Sequence, residues 1–164
     1  MNTIDLKTIS KCLVQSGNIV VHTDSVITTG LSTCIFLVIE TKTCMIGWHY
    51  MFKLNAMKRV HAMLKLVKDV QKVYMIPGID RDEQFYLKPN CRTMKLNPHD
   101  PKVSYHVLMQ YLKQFPWSHK IEPCRIVSHY KDWIVCRRGQ NPKIIKDEKS
   151  FDKICVWDAE KDSV

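Results

Sequence analysis

The chain contains 164 residues, of which 45% are hydrophobic and 25% charged, a composition that predicts one globular domain over residues 1–164 and excludes wholesale disorder, collagen-like repeats and a coiled coil. The 25 lysines and arginines exceed the 16 aspartates and glutamates, so the net charge is +9. A basic balance of this size favours an acidic partner, which could be nucleic acid, an anionic membrane face or an acidic protein surface.

No segment has the character of a membrane span or a secretion signal. The longest uncharged stretch, residues 25–39, contains five threonines and serines and is too short to cross a bilayer, which takes about 20 apolar residues. Residues 1–7 lack a basic region followed by an apolar one, as a Sec signal would require. We therefore expect a cytoplasmic protein.

Cysteine usage indicates reduced thiols. The seven cysteines are odd in number and form no C-x-x-C pair, which argues against a disulfide framework or a zinc ribbon. Cys91, His99 and His106 match no common zinc spacing, so we expect no metal and no cofactor. The five cysteines that lie in apolar or alternating contexts are expected to be structural: Cys12, Cys44, Cys124, Cys136 and Cys155.

Hydrophobic periodicity predicts, in chain order, a helix over 2–14, strands over 18–23, 25–29, 35–39 and 44–52, a helix over 54–68, a strand over 72–76, a helix over 101–115, and strands over 121–129, 133–137 and 153–157. The polar segment 79–98 is expected to be a functional or mobile loop. This order favours an α+β fold, a layered sandwich of a mainly antiparallel β-sheet with two or three helices.

Two of these strands bring a thiol and an imidazole together. A glycine turn at Gly30 is followed by Cys34 and an apolar strand, and a polar turn near residues 41 and 42 leads to a return strand that carries His49. With the turn centred there, antiparallel pairing places Cys34 directly opposite His49.

Cys34 meets more of the requirements for a nucleophile than the other six cysteines. A reactive thiol needs a base within hydrogen-bond reach and donors for an oxyanion. His49 would be the base, and the backbone N–H groups of Thr33 and Cys34 could hold the oxyanion. The alternative is that Cys34 is a core cysteine and His49 a buried strand histidine, since free cysteine is among the most buried residue types. A pairing of Cys34 with His99, in a turn that otherwise caps a helix, is a further option.

The segment TTGLSTC at 28–34, with IGWH at 46–49, resembles the T-x-G-L-G-S-C … G-x-x-H pattern of the chemoreceptor glutamine deamidase CheD. It is also similar to the L-S-G-C element of the cytotoxic necrotizing factors and related bacterial toxin deamidases. The resemblance extends over roughly residues 25–79. It implies a CheD-like or toxin-like deamidase domain in which Cys34 is the nucleophile, His49 the general base and Thr28 an assisting residue.

The activity implied by this resemblance is hydrolysis of a protein glutamine to glutamate through a thioester. The target is unknown, and an acidic target surface would suit the basic chain. The enzyme would be a housekeeping protein or a virulence effector secreted into a host cytosol by a non-Sec route. Transglutamination and peptide-bond cleavage, as in a papain-like peptidase, use the same dyad.

The rival hypothesis is a non-catalytic module that binds nucleic acid. It uses the net charge of +9 and assigns Trp117 and Trp133 to stacking on bases. Arg137, Arg138 and the lysines of the helix over 54–68 are most simply a solvated basic face. In the nucleic-acid hypothesis Cys34 is inert.

Overall fold

The structure, a computed structural model, describes residues 12–31, 34–51, 57–77, 101–124 and 132–145. Within these ranges eight strands form two sheets, and two α-helices cover one face of the larger sheet. The fold is α+β with mainly antiparallel strands, as predicted. Within the same ranges, no helix has the length and apolar character needed to cross a membrane.

The elements follow the predicted order wherever both can be compared. Their bounds are β1 (Ile19–His22), β2 (Ser25–Thr29), β3 (Ile35–Thr41), β4 (Met45–Tyr50), α1 (Met57–Lys65), β5 (Val70–Pro77), α2 (Pro101–Leu112), a 3-10 helix (Pro116–Lys120), β6 (Ile121–Pro123), β7 (Trp133–Arg137) and β8 (Lys143–Ile145). The short strand β8 was not predicted. The predicted strand over 153–157, the loop over 79–98 and most of the helix over 2–14 lie outside the described residues.

The strands divide into two sheets, whereas the sequence predicted one. The larger sheet has the order β1-β4-β3-β5-β6, with only β5 and β6 parallel, and the smaller has the order β2-β7-β8. Gly30, with φ of 75°, lies in the link that carries the chain from β2 in one sheet to β3 in the other. Glycine adopts this left-handed conformation without steric cost.

The larger sheet is the middle layer of a three-layer structure. Ile35, Leu37 and Ile39 of β3 pack in the cluster that contains residues of α1 and α2, whereas Phe36 and Val38 pack against the smaller sheet. Strand β3 is therefore buried on both faces, which explains why its sequence is an unbroken apolar run rather than an alternating one.

The predicted register of the β3–β4 hairpin is wrong by two residues. His49 lies opposite Phe36, not opposite Cys34. The turn is closed by Thr41 and Cys44, whose backbone groups pair at 2.9 Å, so Lys42 and Thr43 form its tip. Because side chains alternate with a period of two, a two-residue shift leaves every side chain on the face predicted for it.

Arg138 connects the two sheets and does not belong to a merely solvated basic face. Its Nη1 donates to the carbonyl of Thr41 at 2.6 Å, and its Nε and Nη2 donate to the carbonyl of Thr23 at 3.2 and 3.1 Å. The neighbouring N–H of Gly139 donates to the buried carboxylate of Glu40 at 2.7 Å. These bonds fix the turn after β7 against the end of β3.

Candidate active site

The two sheets are in close contact beside Gly47 of β4. A Cβ at this position would lie 2.9 Å from Val14 Cγ2, closer than real Cβ contacts come, and 3.0 Å from both Phe36 Cε1 and Val26 Cβ, which is tighter than most real contacts. The missing side chain therefore allows β2 to pack directly on β4. This packing brings Thr28 of β2 to His49, two residues beyond Gly47.

Thr28 holds the imidazole of His49 in one orientation. The Thr28 hydroxyl donates to the carbonyl of Val14 at 2.7 Å and lies 2.8 Å from His49 Nδ1. A hydroxyl has one hydrogen to donate, so Thr28 Oγ1 accepts from Nδ1–H. Nδ1 therefore carries the ring proton, and Nε2 has a free lone pair. This is the tautomer that a general base acting through Nε2 needs.

His49 Nε2 is buried and has no hydrogen-bond partner among the residues that the structure describes. The side chain is only 1% exposed. Burial lowers the pKa of His49 to about 4, and a hydrogen bond with the backbone of Val14 offsets part of that effect. The imidazole is therefore neutral at pH 7, and the lone pair of Nε2 carries no proton.

Cys34 lies on the same face of the sheet as His49. It immediately precedes β3 and packs, half-buried, against the cluster of side chains between the two sheets. Cys34 lies two positions before Phe36, the direct partner of His49, so it is a diagonal neighbour of His49, at a separation that an aromatic ring such as the imidazole can span. The thiol is not hydrogen-bonded to Nε2. In free enzymes such catalytic bonds are often long and tighten with substrate.

Three of the other described thiols are poor nucleophiles. Cys12 and Cys136 are buried, and burial raises the pKa of both. Burial together with the nearby Glu122 carboxylate raises the pKa of Cys124 to about 11. Since the thiolate is the reacting species, these three cysteines fit the structural role predicted for them. Cys44 is half-buried, with its Sγ 3.2 Å from the Thr41 hydroxyl.

Backbone bonds fix the main chain of His49, and sequence reasoning missed them. The N–H of Gly17 donates to the carbonyl of His49 at 2.9 Å, and the N–H of His49 donates to the carbonyl of Asn18 at 3.1 Å. The turn at 15–18 thus runs along the end of β4. The Val14 carbonyl, which orients Thr28, precedes this turn. Gly17, which has φ of 81°, lies between Ser16 and Asn18, and this run of turn-forming residues was the local signal for the turn.

Several predicted site residues lie outside the described residues. These are Thr33, whose N–H was assigned to the oxyanion, and Cys91 and His99. Cys34 itself is described. Within the described ranges, no group of three or more His, Cys, Asp or Glu side chains is arranged to hold a metal ion.

The two tryptophans assigned to base stacking are not accessible for it. Trp117 and Trp133 are 6% and 5% exposed. Trp117 also stacks on Phe115, with ring centroids 5.1 Å apart and planes at 5°. These two tryptophans therefore do not provide the stacking surface that the nucleic-acid hypothesis assigned to them.

A scan of protein-family models and a search of curated proteins both find no match. The resemblance to the deamidases rests on segments 28–34 and 46–49. Independently of that resemblance, the structure brings Thr28 into hydrogen-bond contact with His49 and sets Cys34 on the same face.

Because His49 is buried in its neutral form, we predict that the folded protein loses stability in mild acid. An unfolded histidine titrates near 6.5, whereas His49 in the fold titrates near 4, so between these values the unfolded chain binds more protons and stability falls as pH falls. Between pH 7 and pH 5, the titration of His49 should lower the free energy of unfolding by about 2 kcal/mol. Urea unfolding at both pH values measures the loss.

His49→Asn is the matched control for this titration. Its amide nitrogen can still donate to Thr28 Oγ1 but cannot take up a proton. We expect the variant to lose less stability than the wild type over the same pH interval. An equal loss in both proteins would show that other groups cause the acid sensitivity.

Proposed function

We propose that the protein is a cysteine-dependent protein-glutamine deamidase. One observation carries this proposal: Thr28 fixes His49 through Nδ1 and leaves its buried Nε2 without a partner on the face of the sheet that holds Cys34. A histidine that only filled the core would be expected to have both ring nitrogens satisfied. The resemblance of segment 28–34 to the deamidases supports the same assignment.

The first half of the reaction is acyl transfer to sulfur. His49 Nε2 takes the Cys34 proton, and the thiolate attacks the side-chain Cδ of a target glutamine. The carbonyl oxygen becomes an oxyanion, for which the backbone N–H groups of Cys34 and Thr33 are the proposed donors. His49 then returns its proton to the departing amide nitrogen. The C–N bond breaks, ammonia leaves and a thioester on Cys34 remains.

The second half regenerates the thiol. His49 Nε2 takes a proton from water, whose oxygen attacks the thioester carbonyl. The C–S bond breaks, the thiolate recovers the proton and the glutamine has become glutamate. An amine in place of water would give a transamidated product, and a peptide bond in place of the side-chain amide would be cleaved.

The substrate of this reaction is a protein, and the basic chain favours an acidic one. The net charge of +9 accelerates association with an acidic surface and makes it dependent on ionic strength. This chemistry is compatible with two roles. The protein would be either a housekeeping enzyme in its own cytoplasm or an effector delivered to a host cytosol. The new carboxylate adds one negative charge to the target and can thereby change its conformation.

Peptide mass spectrometry tests the reaction class. Protein extracts are incubated with the wild type, with Cys34→Ser and with Cys44→Ser, and glutamines are searched for the mass change of amide-to-acid conversion. We expect conversion with the wild type and with Cys44→Ser, and none with Cys34→Ser. Cys44 is the matched control because it is another half-buried thiol, at the opposite end of the same hairpin.

Iodoacetamide labelling gives a readout that needs no substrate. Cys34 should be alkylated faster than Cys12, Cys124 and Cys136. If no glutamine is converted and Cys34 is labelled no faster than these thiols, the deamidase proposal is wrong. Binding of nucleic acid that falls steeply with salt and is unchanged in Cys34→Ser would then favour the rival function.

A further inference from the structure

Two adjoining grooves open at the end of the larger sheet that is remote from Cys34. The larger, of about 500 Å³, lies among the end of α1, the start of β5 and the segment 114–120. The smaller, of about 280 Å³, lies between the β3–β4 turn and the end of α1. Val67 and Asp69 line both grooves. Val70, also in the larger groove, pairs with the last residue of β3, so a strand length of about 20 Å separates the grooves from Cys34.

The larger groove has an apolar and aromatic wall. Leu64, Phe115 and Trp117 line it, and all three belong to the helix-side core. The stacked rings of Phe115 and Trp117 make this wall rigid, since each ring restrains the other. These three side chains are almost fully buried, so the accessible apolar contacts of the groove come from Val67 and Val70, which are partly buried and line it beside them.

Lysines surround the apolar wall. Lys65 and Lys120 line the larger groove and Lys68 lines the smaller, whereas Asp69 is the only acidic side chain among the described residues of either groove. The Nζ of Lys120 donates to the carbonyl of Val70 at 2.6 Å, which fixes this ammonium group at the groove edge. A ligand therefore meets preset positive charge around an apolar centre.

Leu66 adds an exposed apolar contact beside these charges. It lines the smaller groove and is 76% exposed. A single exposed leucine is common on protein surfaces, but Leu66 adjoins the apolar lining of the grooves and so enlarges the apolar area that a partner can cover. In the sequence, Leu66 lies between Lys65 and Lys68.

From these features we infer that the two grooves bind an acidic peptide segment of a partner protein. An apolar side chain of the peptide occupies the larger groove, and carboxylates on either side of it pair with Lys65, Lys120 and Lys68. Charge complementarity selects an acidic partner. The buried, stacked Trp117 disfavours nucleic acid, whose bases need an open aromatic face. Peptide binding here does not require Cys34 to be catalytic, and in a deamidase it would hold the target protein.

Fluorescence anisotropy with a labelled peptide of sequence Glu-Asp-Leu-Phe-Glu-Asp tests the inference. The Lys65→Glu/Lys120→Glu variant should bind at least about tenfold more weakly than the wild type, because both charge contacts become repulsive. Leu66→Ser should also weaken binding. Lys58→Glu is the matched control, since Lys58 is an exposed lysine of α1 that lines neither groove, and it should bind as the wild type does. Thermal unfolding of each variant verifies that it is folded.

Three results would overturn the inference. The first is unchanged affinity in the folded double variant, and the second is equal weakening by Lys58→Glu, which would indicate general charge attraction. The third is a single-stranded oligonucleotide that binds more tightly than the peptide and loses its affinity in the double variant. Repeating the peptide measurement with Cys34→Ser separates this result from the fate of the deamidase proposal, because that variant should bind normally.

Discussion

Replacing His49 with asparagine should lower the rate of glutamine deamidation by about 10²–10⁴-fold, the usual contribution of a positioned general base. The asparagine amide can preserve the donor to Thr28 Oγ1, so the variant loses the basic Nε2 with least disturbance of the packing. The rate of Cys34 alkylation by iodoacetamide at pH 7 should fall as well. Ammonia release from the target identified by mass spectrometry and the labelling rate of Cys34 are the two measurements.

Thr28→Val separates orientation of the imidazole from its basicity. Valine has the shape of threonine but cannot accept from His49 Nδ1–H, so the ring loses its fixed tautomer. We expect a smaller loss of kcat than with His49→Asn, an unchanged KM and substantial rescue in Thr28→Ser, which restores the hydroxyl. Full activity in a folded His49→Asn protein would remove His49 from the mechanism, whereas failure of Thr28→Ser to rescue would make Thr28 a packing residue.

The face on which the site lies was predictable from the sequence, although the pairing of its residues was not. Alternation along β3 and β4 places Cys34 and His49 on one side of the sheet for any register that differs by two residues. The register itself depends on the turn, where the Thr41 side chain accepts from the N–H of Cys44 at 3.0 Å. No local pattern distinguished this turn from one centred a residue earlier.

The division into two sheets could not be predicted from local patterns. Strand β2 is short and buried over most of its length, so its sequence does not reveal which strand it pairs with. Its partner, β7, lies about a hundred residues away in the chain. The role of the Val14 carbonyl as acceptor for Thr28 could not be predicted either, because a backbone acceptor has no side-chain signature. The contact of Thr28 with His49 was anticipated only through the resemblance to the deamidases.

Gly47→Ala should destabilise the protein by about 1–3 kcal/mol, the usual cost of overpacking a close-packed core. The added methyl group would lie within 3.0 Å of Val14, Phe36 and Val26, which are buried and cannot move away freely. For a chain of this length the melting temperature should fall by roughly 2–12 °C. Differential scanning calorimetry or urea unfolding measures the change. Ala62→Ser, at an exposed position of α1, serves as a neutral surface control.

A second substitution tests whether the loss comes from the contact between the sheets. Val14→Ala removes the Cγ2 atom that a Cβ at position 47 would approach most closely. The double variant should therefore be less destabilised than the sum of the two single variants, since neighbouring residues are not additive. Strict additivity would show that the alanine is accommodated elsewhere and that Gly47 does not set the sheet spacing.

The same substitution connects the packing of the sheets to the chemistry of the site. Val26 lies two residues before Thr28 on β2, so a methyl group that displaces Val26 also moves the Thr28 hydroxyl away from His49 Nδ1. In the folded Gly47→Ala variant, we expect Cys34 to react with iodoacetamide more slowly than in the wild type, although residue 47 contacts neither the thiol nor the reagent. If the variant is destabilised but the labelling rate is unchanged, Gly47 contributes to core packing and not to the arrangement of the site. If the labelling rate is reduced and Val14→Ala partly restores it, the spacing between the two sheets determines how Thr28 is aligned with His49.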